Sequence, residues 1–168
     1  MRTFISIAER LSLAGGVLAA ALVGVAILIV TQMVFMRYVL VASTAWQTDV
    51  VTFSLVGATL LGSAWVLRER GHVTVDLVTE NAPKHLRRIF LMLSDAVVFV
   101  FSALMFWKGW QLTHESWVGA WVTESMVETP LWIPYLAMPV GFGLLALQAL
   151  AGIAKTALGQ DGPRGRKH

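Results

Sequence analysis

The sequence contains no cysteine and few charged residues. Without cysteine, the chain has no disulfide framework, no thiolate nucleophile and no Cys-ligated zinc or iron–sulfur centre. Charged residues make up 14% of the 168 residues, whereas soluble domains average about 25%. Hydrophobic residues make up 57%, and the mean hydropathy is +0.69. Because too few polar groups are present to cover a water-facing surface, the composition indicates a membrane protein.

Long apolar runs between the charged residues predict an all-α, polytopic membrane protein. Each run is long enough to cross a hydrocarbon core of about 30 Å as a helix. We expect a single four-helix membrane domain over residues 1–158, with spans at about 11–36, 46–67, 86–107 and 131–154. The first run is too long for the apolar part of a cleaved signal peptide, so we expect an uncleaved anchor. The charged, glycine-rich segment 159–168 is expected to be a disordered cytoplasmic tail.

The distribution of Lys and Arg predicts the orientation of these spans. The N-terminus, the connection between spans two and three, and the tail together carry eleven basic residues, against only Arg37 and Lys108 on the other side. The positive-inside rule therefore predicts that both termini and the connection between spans two and three lie in the cytoplasm. Since the basic residues do not form one patch, the net charge of +3 does not indicate a nucleic-acid partner.

Aromatic residues between spans three and four predict one further element. Trp117, Val118, Trp121 and Val122 recur with helical spacing, and acidic residues fall on other faces. This pattern favours a short helix lying in the outer membrane interface over an irregular loop.

Small residues predict where helices pack closely, because hydrophobicity does not distinguish protein from lipid inside a bilayer. Two stripes of small residues occur at four-residue spacing. In span one the stripe begins at Ser12 and continues with Gly16, Ala20 and Gly24. In span two it consists of Ser54, Ala58 and Gly62.

Little in the sequence points to chemistry within the membrane. Asp95 is the one carboxylate well inside a predicted span, and we favour an ion pair with an arginine such as Arg68, Arg87 or Arg88 over a proton or sodium site. All four histidines lie outside the apolar runs, which disfavours haem between the helices. No phosphate-binding loop and no nucleophile–base arrangement is present, so we expect neither an enzyme nor a cofactor or metal.

Three segments carry a resemblance to a known family. Arg37-Tyr38 closes the first span, Trp46-Gln47-Thr48-Asp49 opens the second, and Arg68-Glu69-Arg70-Gly71-His72-Val73-Thr74-Val75-Asp76 follows it. This arrangement resembles the small membrane (Q) subunit of tripartite ATP-independent periplasmic (TRAP) transporters. The stretch from Thr129 to Gly141 is similar to the entry of the family's fourth helix. One departure is that Thr48-Asp49 stands where the family often has two adjacent glutamates.

The resemblance implies a role in a Na⁺-driven importer of organic acids. In such a system a periplasmic binding protein delivers substrate to a large polytopic subunit, which moves as an elevator against the small subunit. The chain would then be a scaffold in contact with that large subunit and with membrane lipids. The expected structural or partner-contact residues are Arg37, Trp46, Asp49, Arg68, Gly71, His72, Asp76 and Asp95. His72 and Asp76 are expected to fix the turn between spans two and three.

Two other classes of function stay open from the residues alone. A membrane-anchor subunit of a respiratory oxidoreductase would hold haem or quinone, and the positions of the histidines count against it. A small self-associating exporter would need an essential acid within the membrane, which only Asp95 supplies.

Overall fold

A computed structural model describes residues 2–41, 43–68, 84–124 and 128–157 of the chain. Its elements are the helices α1 (Arg2–Val39), α2 (Ala45–Arg68), α3 (Lys84–Val118), α4 (Trp132–Tyr135) and α5 (Ala137–Ala157). Four segments are long and apolar enough to cross a membrane: Ile5–Val39 in α1, Ala45–Arg68 in α2, Ile89–Val118 in α3, and Trp132–Thr156, which covers α4 and most of α5. The all-α fold and the four predicted membrane helices are therefore confirmed.

Helices α1 and α3 are longer than the apolar runs from which they were predicted. The 38 residues of α1 measure about 57 Å, and the 35 residues of α3 measure about 52 Å. Both exceed a hydrocarbon core of about 30 Å, so these helices tilt or extend beyond it. Backbone hydrogen bonding continues into the flanking polar residues, which hydropathy alone excludes from a span.

The residues predicted to form a short interfacial helix between spans three and four are only partly helical. Trp117 and Val118 are the last residues of α3, while Trp121 and Val122 follow a turn and are not helical. Val122 instead forms an antiparallel bridge with Pro130. The four-residue α4 occurs later, where the Trp132 ring packs edge-on against the Trp117 ring at 4.7 Å.

The fourth predicted span is interrupted near its start. Leu136 keeps a helical backbone but separates α4 from α5. Pro139 lacks an N–H, so it cannot donate the hydrogen bond that a continuous helix would make to Tyr135. Pro134 and Pro139 lie on either side of this interruption.

The four long helices do not all pack against one another. Helix α5 packs against each of α1, α2 and α3, and α1 also packs along α2. Among these described helices, α3 has no Cα atom within 8 Å of α1 or α2. Helix α3 is thus attached to the rest of the molecule mainly through α5 and α4.

Small residues form the centre of the α1–α2–α5 unit. Ala19, Ala58 and Leu61 make up the buried cluster, and Leu22 and Leu144 pack against it. Short side chains allow the helix backbones to approach closely, which maximises dispersion contacts in a setting where lipid offers no hydrophobic driving force between helices.

Candidate functional site

The predicted small-residue stripe of α2 lies on its buried face. Ser54 and Ala58 are buried, and Ala58 belongs to the central cluster with Ala19 of α1. A Cβ atom added to Gly62 would lie 3.4 Å from the Ala19 Cβ, at ordinary van der Waals distance. The structure therefore brings this stripe together with α1.

The predicted stripe of α1 only partly contributes to the contact. Gly16 faces Trp65 of α2, where an added Cβ would lie 2.7 Å from the indole Cγ. Ala20 and Gly24 are exposed, and no atom outside its own helix backbone lies within 4 Å of a Cβ added to Gly24. Within the described chain, these two residues therefore do not pack against another helix.

The residues of α1 that do pack follow a seven-residue repeat. The spacing alternates between four and three along the partly or fully buried residues Ala8, Ser12, Gly15, Ala19, Leu22 and Ala26. An unbroken four-residue series advances about 40° around the helix at each step, so Gly24 lies about 120° from Ser12. The alternating series stays on one face, as in coiled coils.

Two polar contacts join α1 to α5, and the sequence analysis identified neither. The Ser12 hydroxyl donates a hydrogen bond of 2.8 Å to Gln148 Oε1, and both residues are buried. The Lys155 ammonium forms an ion pair with the Glu9 carboxylate, and each side chain is 23% exposed. Helical spacing is consistent with both contacts lying on one face of each helix. Glu9 and Ser12 lie three residues apart on α1, and Gln148 and Lys155 lie seven residues apart on α5.

The ion pair should stabilise the packing of α1 on α5. We expect Lys155→Met to lower the free energy of unfolding in detergent by about 1–2 kcal/mol, between the values for exposed and buried pairs. Lys108→Met is the matched control, because Lys108 is exposed and its ammonium donates to Gln111 on its own helix. Thermal unfolding monitored by circular dichroism measures both. Equal melting temperatures for the two variants would show that the ion pair contributes nothing.

Among the described residues, Arg37 and Asp49 near the N-terminal end of α2 form no ion pair with each other. Arg37 is exposed at the end of α1, and Asp49 has one carboxylate oxygen, Oδ2, buried without a hydrogen-bond donor. Trp46 is 42% exposed. Gln47, which the sequence analysis did not single out, is fully buried, and neither of its amide atoms has a hydrogen-bond partner among the described residues. The sequence feature that indicates burial of Gln47 is its seven-residue spacing from Ser54, which places both residues on the same face of α2.

Asp95 lies at the contact between α3 and α5. Its carboxylate faces Gly152, where an added Cβ would lie 3.0 Å from the Asp95 Cγ. The missing side chain of Gly152 thus makes room for the carboxylate. Arg68 is the partly buried last residue of α2, whereas Gly71, His72 and Asp76 lie outside the described residues. Within residues 2–41, 43–68, 84–124 and 128–157, no three His, Asp or Glu side chains come together as metal ligands.

Much of the apolar surface faces outward. On α3, exposed side chains recur at three- and four-residue spacing at Leu93, Val97, Val100, Leu104 and Trp107. The same holds for the C-terminal half of α1, where Leu28 is 71% exposed. Such surfaces suit lipid or another membrane-spanning polypeptide, and they are too extensive for contact with water.

Comparison with known proteins gives a family match over most of the chain. Residues 26–159 match the model of the DctQ component of the tripartite ATP-independent periplasmic transporters. This range starts within α1 and extends to the end of α5, so it includes parts of every helix described above.

Curated relatives are identical to this chain at about one aligned residue in four. The C4-dicarboxylate TRAP transporter small permease protein DctQ of Vibrio cholerae is 26% identical over 79% of this chain and 66% of its own. The isethionate TRAP transporter permease protein DctMQ of Oleidesulfovibrio alaskensis is 26% identical over 76% of this chain and 21% of its own. The C4-dicarboxylate TRAP transporter small permease protein DctQ of Rhodobacter capsulatus is 25% identical over 66% of this chain and 50% of its own.

These matches decide between the classes of function left open by the residues. They favour a transporter component over the membrane anchor of a respiratory oxidoreductase, and they place the chain among proteins that are not enzymes. Because the family match covers the greater part of the sequence, the chain belongs to the DctQ component family of the tripartite ATP-independent periplasmic transporters.

Proposed function

We propose that the chain is the small scaffold subunit of a Na⁺-coupled TRAP transporter that imports organic acids. In this role it braces a large elevator-type membrane subunit, and a periplasmic binding protein delivers the substrate. The observation that carries the proposal is the apolar centre of the α1–α2–α5 unit, which is built from Ala19, Ala58 and Leu61. A closely packed apolar centre supports a rigid body and offers no polar groups to coordinate an ion or a substrate at that point.

The names of the relatives support the substrate class. Two are named for C4-dicarboxylates and one for isethionate, and all of these compounds are small organic anions. We propose a small organic anion as the cargo, recognised by other polypeptides of the complex.

The proposed partner is a large polytopic membrane subunit. Support comes from the DctMQ relative, in which the matched region is only 21% of a single longer chain. Fusion of two polypeptides in one protein is expected when the parts act in one complex, because it keeps their effective concentration high. The exposed apolar surface on the C-terminal half of α1 is one on which such a subunit would pack.

The proposed location is the bacterial inner membrane with both termini in the cytoplasm. Basic residues on the N-terminus, the α2–α3 connection and the tail support that orientation. The resemblance supports a partner-contact or turn-fixing role for Arg37, Trp46, Asp49, Arg68, Gly71, His72 and Asp76. Replacing His72 and Asp76 together tests the turn, with complex assembly and uptake as the measurements.

Purification of a tagged chain from its native membrane tests the scaffold proposal. The expected result is a colourless preparation that contains a polytopic partner in fixed stoichiometry, identified by mass spectrometry. Deletion of the chain should abolish Na⁺-dependent uptake of labelled C4-dicarboxylate or isethionate, and expression in trans should restore it. A chain that purifies alone and transports without a partner would contradict the proposal.

Replacement of Asp95 distinguishes a scaffold from an ion carrier. We expect Asp95→Asn to keep at least half of the wild-type uptake and an unchanged dependence on Na⁺, because the amide fits the space beside Gly152. A coupling carboxylate would behave differently, since loss of its charge removes the cation site. A more than tenfold loss of uptake, with the complex assembled normally, would overturn the scaffold role.

A further inference from the structure

A groove runs between α2 and α3. These two helices have no Cα pair within 8 Å of each other, and both pack against α5. The groove has a volume of about 660 Å³ and extends along α2 from Ala58 to Leu67. Val97 and Phe101 line it on the α3 side, and Leu145 of α5 contributes to its lining. Since a bilayer leaves no such space empty, an apolar occupant is required.

The hydroxyl groups that line the groove leave no hydrogen-bond donor unsatisfied. Thr59 donates to the Leu55 carbonyl at 2.9 Å, and Ser63 donates to the Leu60 carbonyl at 2.7 Å. Both hydroxyl donors are therefore satisfied within α2, and the rest of the lining is almost wholly apolar. Such a surface favours hydrocarbon over a polar solute.

The dimensions favour a hydrocarbon chain over a helix. Ala58 to Leu67 covers about 14 Å along α2, close to one leaflet of a hydrocarbon core of about 30 Å. A volume of about 660 Å³ over that length gives a mean cross-section of about 50 Å². A helix with its side chains, about 10–12 Å wide, needs about 80 Å² or more.

A basic residue stands at one end of the groove. Arg68 ends α2 directly after Leu67, which lines the groove, and it is partly buried. A cation at that level attracts the phosphate of an anionic headgroup. The opposite end of the groove, near Ala58 and Phe101, lies deeper along both helices, where a chain terminus would be placed.

We propose that this groove is a binding site for an anionic phospholipid, with one acyl chain between α2 and α3 and the headgroup at the basic end. The bound lipid fills the gap that separates α3 from α2 and so completes the surface of the subunit. This site depends on the membrane-spanning fold and not on the transport role proposed above.

Filling the groove tests the acyl-chain part of the site. The tagged chain, with whatever partner it retains, is purified in mild detergent, and phospholipid per chain is measured by mass spectrometry. We expect Thr59→Trp to lose at least half of the retained phospholipid. Leu55→Trp is the matched control, because Leu55 is an exposed residue one turn away on α2 and does not line the groove. Equal retention in the two variants would overturn the proposal.

Exchange between lipid classes tests the headgroup part. In mixed micelles of phosphatidylglycerol and phosphatidylcholine, we expect the wild type to retain phosphatidylglycerol preferentially. Arg68→Gln should reduce that preference about fivefold, Arg68→Lys should keep it, and Arg37→Gln should leave it unchanged. A preference unaffected by Arg68→Gln would overturn the assignment of the headgroup.

A photo-crosslinker at position 97 identifies the occupant directly. Val97 is 62% exposed and lines the groove, so a benzophenone amino acid there contacts whatever fills it. Phospholipid adducts as the main product would support the site. Adducts mainly with a large membrane subunit, or with a second copy of the chain, would show that a polypeptide occupies the groove and would overturn the proposal.

Discussion

Gly141→Ala is expected to destabilise the packing of α2 against α5 by about 2 kcal/mol, despite the higher helix propensity of alanine. A Cβ added to Gly141 would lie 2.7 Å from the Leu60 Cβ and 2.8 Å from the Leu60 carbonyl carbon and oxygen. Because these atoms belong to the backbone or are attached to it, no side-chain rotation relieves the overlap. The helices must separate, which weakens packing around the central cluster.

Gly24→Ala is the matched control for this variant. It makes the same substitution within a helix, but no atom outside the helix's own backbone lies within 4 Å of the added methyl group. Alanine should then stabilise the isolated chain by about 1 kcal/mol through helix propensity alone. Thermal unfolding in detergent should therefore shift in opposite directions for the two glycines. A shift of the same sign and size would contradict the close contact at Gly141.

Gly16→Ala is expected to force α1 away from α2 at a cost of about 2 kcal/mol. An added Cβ would lie 2.7 Å from the Trp65 Cγ and 3.1 Å from the Trp65 Cδ1. The Cγ moves only if the whole indole rotates about the Cα–Cβ bond, and the Trp65 Cβ, which no side-chain rotation moves, would lie 3.0 Å from the added atom. Melting temperatures of the purified chain measure the loss.

Truncation of Trp65 should rescue the Gly16 variant in part. In a Trp65→Ala background, Cγ and Cδ1 are absent, so Gly16→Ala should cost less than half of what it costs in the wild type. The double-mutant cycle isolates this contact from the general effect of losing the indole. An equal cost in both backgrounds would show that Gly16 does not meet Trp65.

The face that each helix buries was the feature that the sequence predicted least well. The stripe on α2 was predicted on the correct face, because Ser54, Ala58 and Gly62 span only eight residues and drift little. The stripe on α1 was followed for twelve residues, and by Gly24 it had turned away from α2. The buried series that includes Gly15 and Ala19 was not singled out, since small residues also occur on lipid-facing surfaces.

Polar contacts between distant segments were also missed. Glu9 and Lys155 are separated by 146 positions, and each by itself is typical of a helix end near the cytoplasm. Ser12 and Gln148 are ordinary polar residues until the fold brings them together. Asp95 was recognised because a carboxylate within an apolar run is rare, whereas its position beside Gly152 depends on the contact of α3 with α5.

The sequence by itself determined the number of membrane helices, their order and the all-α class. These properties are local, because each helix satisfies its own backbone hydrogen bonds and its transfer into lipid depends on its own apolar side chains. Tertiary structure alone decided that Gly24 lies away from any helix contact, that α3 stands apart from α2, and where a groove remains between them. Those outcomes depend on shape, since lipid and protein are equally apolar and only the fit between helix surfaces distinguishes one packing from another.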